Sequence, residues 1–162
     1  MERKNLGTIY VPEKVDVTDP CYDRNVWCRF NDVPVRSGNY ECVAWHSDKG
    51  DWGDRIAMSG IFLAGSEIPD NPPQRSEFVY IGNIGVDAGL AGFFPSPKPD
   101  YSRDEWVTLC ESIRGGDEWI TEDGFFSSSG YGDGGYDLYG RKASDGVYDA
   151  LVLVFIESED DA

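Results

Sequence analysis

Short runs of alternating apolar and polar residues, separated by glycine and proline, occupy most of the chain. In the clearest run, Tyr40, Cys42 and Ala44 fall on one side of an extended segment, and polar turn residues follow. This alternation predicts a strand at 39–46 and a hairpin partner at 55–63. Weaker runs of the same kind predict further strands at 6–11, 15–18, 26–30 and 78–86.

The last third of the chain has the strongest strand pattern, which predicts strands at 125–129, 136–142 and 148–156. Residues 151–155 are apolar without interruption, which indicates a central strand buried on both faces. Glycine reaches positive φ without steric cost, and 130–135 is rich in it. We therefore interpret the last third as a β-meander in which 130–135 is a hairpin loop.

One segment repeats its apolar residues at helical spacing. Ser102 and Glu105 match the capping-box pattern, and Trp106 and Leu109 follow at helical intervals, so a short α-helix is predicted at about 102–114. The 14% aromatic content and the 19 glycines favour pleated surfaces and tight turns elsewhere. The prediction is a mainly β fold, an antiparallel β-sandwich or barrel-like sheet, as a single domain over 1–162 with an acidic, flexible tail at 157–162.

The chain of 162 residues has a formal net charge of −16, which is unevenly distributed. Residues 1–60 hold ten acidic and eight basic residues, whereas residues 61–162 hold twenty and six. Such a field attracts basic proteins and repels phosphate backbones and anionic lipid, so we expect no direct nucleic-acid binding and no membrane association. Because no apolar run approaches the ~18 residues of a spanning helix and no signal region follows the charged N-terminus, the expected location is cytoplasmic.

The residue types that most often bind zinc or carry catalysis are few. Cys21, Cys28, Cys42 and Cys110 form no Cys-x-x-Cys pair, and the single histidine, His46, is not spaced to complete a zinc site. We expect the cysteines to be reduced, mostly buried thiols. The sequence shows no nucleophile or orienting acid for His46, so no catalytic residue is assigned.

Three short elements, at 18–22, 86–92 and 129–136, place one aspartate among turn-forming residues at the end of a predicted strand. Loops at the ends of a β scaffold are common binding sites. The candidate ligand-binding residues are Asp19, Tyr22, Asp87, Gly89, Tyr131, Asp133, Gly134 and Tyr136. If the loops meet, Asp19, Asp87 and Asp133 are candidate ligands for Ca²⁺ or Mg²⁺, and otherwise no cofactor is expected. The alternative is turn chemistry alone, which uses the same residues.

The same elements carry a resemblance to a known family. The motifs Asp-x-Gly-x-Ala-Gly at 87–92 and Ser-Gly-x-Gly-Asp-Gly-x-Tyr at 129–136, with Thr-Asp-Pro-Cys-Tyr at 18–22, are similar to those of a family of bacterial and bacteriophage domains of unknown function. The resemblance covers roughly residues 15–156. It implies a β-rich architecture and a phage origin, hence a location in the host cytoplasm, and it implies no activity.

Three functions compete on these observations. The first is a non-enzymatic binding protein that uses the aspartate–glycine loops and nearby aromatic residues to hold a small-molecule ligand or a basic host protein; a phage-encoded form would act as an inhibitor or sponge of a host defence pathway. The second is an acidic nucleic-acid mimic that blocks a basic host surface through Asp104, Glu105, Glu111 and Glu118. The third is a metal-dependent hydrolase that uses Asp19, Asp87 and Asp133. We rank them in this order and expect no enzymatic activity.

Overall fold

Residues 1–157, the part of the chain that the computed structural model describes, form eleven strands and one α-helix. The strands are β1 (Glu2–Val11), β2 (Lys14–Thr18), β3 (Phe30–Pro34), β4 (Gly38–Asp48), β5 (Asp54–Leu63), β6 (Phe78–Val86), β7 (Leu90–Pro95), β8 (Glu118–Thr121), β9 (Gly124–Ser128), β10 (Gly134–Lys142) and β11 (Tyr148–Val154), and the helix α1 spans Arg103–Ser112. The predicted acidic tail lies outside the described residues, except for Glu157. No helix within this part of the chain is long and apolar enough to cross a membrane.

The strands form two sheets. One has six strands in the order β1-β4-β5-β11-β10-β6, and the other has five in the order β3-β2-β7-β9-β8. Every strand pair within these sheets is antiparallel, and neither sheet closes into a barrel. The predicted mainly β sandwich with one short helix is therefore confirmed.

Apolar residues of both sheets meet in the core between them. Tyr40, Cys42 and Ala44 point into this core together with Val17 and Phe93 of the facing sheet. The central strand β11 contributes Leu151 and Leu153 to the same core, as its apolar sequence predicted.

The outer face of the six-stranded sheet is also buried. Val43 and Trp45 of β4 pack there with Phe62 and Val152 in a second apolar cluster. The proline-rich segment between β5 and β6 lies over this cluster, because Ile68 packs against it and Arg141 Nη1 donates to the Glu67 carbonyl at 2.7 Å. Central strands of the six-stranded sheet are therefore apolar on both faces.

The glycine-rich loop at 130–135 has a different role from the predicted one. β9 belongs to the five-stranded sheet and β10 to the six-stranded sheet, so the segment between them crosses from one sheet to the other. The prediction of a hairpin at this position is wrong, whereas the hairpin between β10 and β11 is confirmed. Local turn chemistry specifies a change of direction but not which strand becomes the next neighbour.

A second difference from the prediction lies next to the buried carboxylate of Asp16. Residues 26–29, predicted as part of a strand, lie in turns instead, and β3 begins only at Phe30. Asp16 is fully buried and accepts hydrogen bonds from Arg29 Nη2 at 3.2 Å and from the Lys98 backbone N–H at 2.8 Å. Burial lowers the pKa of Arg29, which the nearby Asp16 carboxylate opposes. The hydrogen bond from Arg29 to Asp16 of β2 anchors the end of this segment beside the five-stranded sheet.

The helix begins where the sequence predicts. The Glu105 N–H donates to Ser102 Oγ at 3.2 Å, and the Ser102 N–H donates to Glu105 Oε1 at 2.9 Å, which forms the capping box. Hydrogen bonds from Ser102 lower the pKa of the Glu105 carboxyl. No residue of α1 is fully buried, so the helix lies on the surface of the sandwich.

Candidate functional site

The three aspartate–glycine elements meet at one end of the sandwich. Asp19 Oδ2 accepts hydrogen bonds from the backbone N–H groups of Asp87 at 2.8 Å and Ala88 at 2.6 Å. The carbonyl of Gly89 accepts a hydrogen bond from the Ser129 N–H at 3.1 Å. The two connections join the element at 18–22 to the β6–β7 turn, and that turn to the glycine-rich loop.

Although the three loops meet, their aspartate carboxylates do not lie close together. Asp19 is fully buried, and its second oxygen accepts from the Cys21 N–H at 2.9 Å, so backbone donors occupy both of its oxygens. Asp87 and Asp133 are exposed. Within residues 1–157, the ligand atoms of Asp19, Asp87 and Asp133 do not gather within 4.8 Å of one another. A hard cation held by all three side chains would need oxygens ~2.0–2.6 Å from the metal, and this arrangement does not supply them.

The other residues predicted for this site have mainly structural positions. Tyr22 is half-buried and its carbonyl accepts from Arg29 Nη1 at 2.8 Å. Burial, with a hydrogen bond to Cys28, raises the pKa of the Tyr22 phenol. Gly89 has a φ of +71°, which favours glycine in the turn it occupies. Gly134 begins β10 and pairs with Val86.

Tyr136 fixes the shape of the glycine-rich loop. Its hydroxyl donates to the Gly132 carbonyl at 2.6 Å and lies 3.1 Å from the Ser129 carbonyl. Its ring packs edge-on against Phe155 with the centroids 5.2 Å apart. Burial raises the pKa of the Tyr136 phenol, which therefore stays a donor. Tyr136 thus holds the loop and is not free to bind a ligand.

Tyr131, one of the predicted ligand-binding residues, lies at the tip of this loop. Its side chain faces solvent beside a second exposed aromatic ring. Its ring is 55% exposed and stands edge-on to the 69% exposed ring of Trp52, with the centroids 6.3 Å apart. Arg55 Cζ lies 5.6 Å from the centre of the Tyr131 ring. We call Trp52, Arg55 and Tyr131 the aromatic–arginine patch; they line a surface cavity of about 480 Å³.

Hydrogen bonds also order the hairpin that carries Trp52 and Arg55. Asp48 Oδ1 accepts from the Gly50 N–H at 2.8 Å, and the Trp52 N–H donates to the Lys49 carbonyl at 3.2 Å. Arg55 Nε then donates to the Trp52 carbonyl at 2.7 Å. These bonds fix the backbone of the β4–β5 turn, so the chain's own hydrogen bonds order this part of the patch.

Neither Trp52 nor Arg55 is among the ligand-binding residues that the sequence predicts. A tryptophan inside the polar turn 48–54 is an available signal, because a turn that only reverses the chain has no need of a large apolar side chain. Local sequence patterns do not predict the contact between Trp52 and Tyr131, because 79 positions separate the two residues in the chain.

Burial suppresses the ionisation of two of the cysteine thiols, Cys21 beside the loops and Cys42 in the core between the sheets. Burial, reinforced by the Asp19 carboxylate, raises the pKa of the Cys21 thiol to about 12. Burial alone raises the pKa of Cys42 to about 12. A thiol in this range stays protonated at neutral pH and is a poor nucleophile.

His46 has orienting acids that its sequence neighbours did not reveal. Its Nδ1 lies 2.8 Å from Asp54 Oδ2, and its Nε2 lies 2.9 Å from Glu118 Oε2. The histidine is 5% exposed and stands on β4, whereas Glu118 begins β8 of the other sheet. The pair with Glu118 therefore links the two sheets, and 72 positions separate its members in the chain.

Two of the four acids expected to mimic nucleic acid have intramolecular roles. Glu105 caps α1, and Glu118 bonds His46. Asp104 and Glu111 are exposed. The row of free, regularly placed charges that a mimic requires is therefore interrupted at these two positions.

No protein-family model, curated protein or solved structure matches the chain. The resemblance to bacterial and bacteriophage domains stays a prediction.

Proposed function

We propose that this protein is a non-enzymatic binding protein, and that its contact surface is the aromatic–arginine patch with the loops that support it. The observation that carries the proposal is the packing of Trp52 and Tyr131 against each other while both rings remain more than half exposed. Tryptophan, tyrosine and arginine are the residue types enriched at the energetic centres of protein interfaces.

The rigidity of the patch supports this function. A hydrogen-bonded turn carries Trp52 and Arg55, and Tyr136 fixes the loop that carries Tyr131. Ordering flexible side chains and loops on binding costs free energy, about 0.5–1.5 kcal/mol for each immobilised side chain. A surface that is already ordered avoids part of that cost, which favours a role in binding over incidental exposure.

A protein partner fits the patch better than a small molecule. Drug-sized ligands bury ~70–90% of their surface in enclosed clefts. The cavity at the patch is lined by only three side chains, and the two rings that form it are largely exposed. A surface of this shape suits a projecting side chain from a protein, which the rings and the guanidinium can contact from one side.

The charges around the patch specify the partner further. Asp48, Asp51 and Asp133 are exposed and lie on the two segments that form the patch. The net charge of −16 extends this negative field over the molecule. We therefore propose a partner with an apolar or aromatic residue at the centre of a basic surface, because opposite charges at the rim steer association. That the partner belongs to a host defence pathway is the part of the proposal that rests on the family resemblance alone.

The test is a selection of displayed random peptides on the immobilised protein, followed by affinity measurements on the selected peptides. We expect lysine- or arginine-rich peptides with a central apolar or aromatic residue. The Trp52→Ala and Tyr131→Ala variants are expected to weaken their binding at least about tenfold. Raising the salt concentration is expected to slow association more than it speeds dissociation.

Tyr10→Ala is the matched control. Tyr10 is 59% exposed and pairs with Asn39, at the end of β4 remote from the Trp52 turn, so its removal is expected to leave the affinity unchanged. The proposed surface would be refuted if the selected peptides had no basic bias. It would also be refuted if they bound Trp52→Ala and the unaltered protein with equal affinity.

A further inference from the structure

His46 and the acids around it form a cluster that the binding surface does not use. The ligand atoms of His46, Asp54 and Asp117 all lie within 4.8 Å of one another. His46 and Asp54 belong to the six-stranded sheet, and Asp117 immediately precedes β8 of the five-stranded sheet. We propose that these three side chains form a binding site for a divalent transition-metal cation of the Zn²⁺ class.

The two ring nitrogens of His46 have distinct surroundings that suit this role. Asp54 Oδ2 lies 2.8 Å from Nδ1, and Glu118 Oε2 lies 2.9 Å from Nε2. Histidine ligands of metals commonly donate their second ring N–H to a carboxylate, which fixes the tautomer and raises the basicity of the ligating nitrogen. Glu118 is placed for that orienting bond, which leaves Nδ1 for the metal beside Asp54 and Asp117.

The spacing of His46 and Asp54 fits a small cation, and a ligand atom of Asp117 lies within 4.8 Å of both. Two ligands ~2.1 Å from one metal stand ~3.0 Å apart in octahedral and ~3.4 Å apart in tetrahedral geometry. The separation of 2.8 Å between His46 Nδ1 and Asp54 Oδ2 is close to the first value. Asp54 and Asp117 are exposed, so their carboxylates have room to adjust, whereas the buried His46 ring is fixed.

Asp117 is available as a ligand. Among residues 1–157, no side chain forms a hydrogen bond or an ion pair with its carboxylate, and its carbonyl accepts from the Ser128 N–H at 2.8 Å, which holds its backbone in place. With neutral His46, the two aspartates supply two negative charges to a divalent cation.

A cavity opens in front of this cluster and gives a cation access. Its volume is about 610 Å³, and it is lined by His46 and Asp54 together with Met1, Glu2, Lys4 and Asp48. Lys4 opposes a cation in this space, while Glu2 and Asp48 favour one. The cavity leaves room for water to complete the coordination of a metal held by three protein ligands.

The single imidazole nitrogen decides which metal the site prefers. Imidazole suits Zn²⁺ and its neighbours in the first transition row, whereas Ca²⁺ and Mg²⁺ take oxygen ligands. A metal at Nδ1 leaves the Nε2 N–H to donate to Glu118.

The test uses ZnCl₂ as the probe with the chelator-treated, reduced protein. We expect binding of one Zn²⁺ per chain by titration calorimetry, and a rise in Tm of about 5–10 °C at Zn²⁺ concentrations a hundredfold above Kd. Because His46 is the only histidine, the imidazole signals of ¹⁵N-histidine-labelled protein belong to it without further assignment. Zn²⁺ is expected to shift the Nδ1 resonance and to leave Nε2 protonated.

Asp54→Asn and Asp117→Asn are expected to weaken Zn²⁺ binding at least tenfold, and Glu118→Gln by about 10–100-fold with the ligands intact. Asp51→Asn removes the same charge from the same hairpin outside the cluster and is expected to leave the affinity for Zn²⁺ unchanged. Co²⁺ in place of Zn²⁺ is expected to show no thiolate-to-metal absorption, which excludes the four cysteines as the binding groups.

Absence of Zn²⁺ binding would overturn the proposal and leave His46 as a hydrogen-bonded link between Asp54 and Glu118. Equal weakening by Asp51→Asn and Asp54→Asn would also overturn it, because it would show diffuse attraction to an acidic surface. A Tm increase with Ca²⁺ as large as that with Zn²⁺ would contradict the assignment of His46 as a ligand.

Discussion

At the scale of single residues, Asp19 shows how a candidate ligand becomes a structural group. The sequence suggested a carboxylate available to a cation, but the side chain is fully buried and three backbone N–H groups donate to it. Hydrogen bonds to a charged acceptor are stronger than neutral ones. Asp19 therefore joins the segment after β2 to the β6–β7 turn, and its function is to hold the loops at this end of the sandwich.

We predict that Asp19→Asn destabilises the protein by about 2–4 kcal/mol, because the amide nitrogen cannot accept and leaves backbone donors buried without a partner. The free energy of unfolding from urea titrations measures the loss. Asp87→Asn is the matched control; its side chain is exposed, and its substitution is expected to change stability by less than about 0.5 kcal/mol. Equal effects of the two substitutions would show that the hydrogen bonds of Asp19 contribute little.

At the scale of elements, the close approach of β7 and β9 depends on a glycine. A methyl group at Gly92 would overlap the carbonyl oxygen of Phe125 and lie 2.5 Å from the Cα of Phe126. The two strands stack Phe93 on Phe125 and Phe94 on Phe126, with ring centroids 6.3 and 6.1 Å apart. The glycine thus allows β7 and β9 to pair while these rings fill both faces of the sheet.

We predict that Gly92→Ala costs at least about 2 kcal/mol of stability, because backbone atoms of a central strand must move to accept the methyl group. Gly135→Ala is the control: the nearest atoms to its methyl group all belong to the end of the exposed Asn83 side chain, and the substitution is expected to change stability by less than about 0.5 kcal/mol. Thermal and urea unfolding compare the two variants. A Gly92→Ala protein as stable as Gly135→Ala would mean that β7 and β9 shift apart without cost.

At the scale of the whole molecule, the core between the two sheets buries a thiol and makes the free energy of unfolding fall as the pH rises through the alkaline range. Cys42 lies in the core between the sheets, and burial raises its pKa from 9.0 to about 12. The folded chain therefore keeps this proton in a range where the unfolded chain loses it. The stabilisation is fully present below pH 9 and declines as the pH rises towards 12, by up to about 1.4 kcal/mol per pH unit.

The measurement is the free energy of unfolding at several pH values between 8 and 11 in the presence of a reductant. We predict that it decreases more steeply with pH for the unaltered protein than for Cys42→Ala. The variant isolates the thiol, because Tyr40, whose pKa burial raises, and Lys98, whose pKa burial lowers, contribute equally to both proteins. Parallel pH profiles would show that the Cys42 thiol does not titrate differently on unfolding.

The sequence by itself determined the features that local chemistry specifies. Alternation predicted the β4–β5 hairpin, the apolar run 151–155 predicted a central strand, and Ser102 with Glu105 predicted the start of α1. Strands β7 and β8 were missed, because their short segments lack a clear alternation and gain their strand form from neighbours in the sheet. Each correct prediction depends on residues only a few positions apart.

The tertiary structure decided which distant residues meet. It placed β9 and β10 in different sheets, brought Tyr131 to Trp52, and gave His46 its partners Asp54 and Glu118. It also turned Asp19 from an available ligand into a buried acceptor. Periodicity along a chain records which face of an element is buried, but not against what it is buried. The partners are selected by the packing of the two sheets, and this packing assembles both proposed sites.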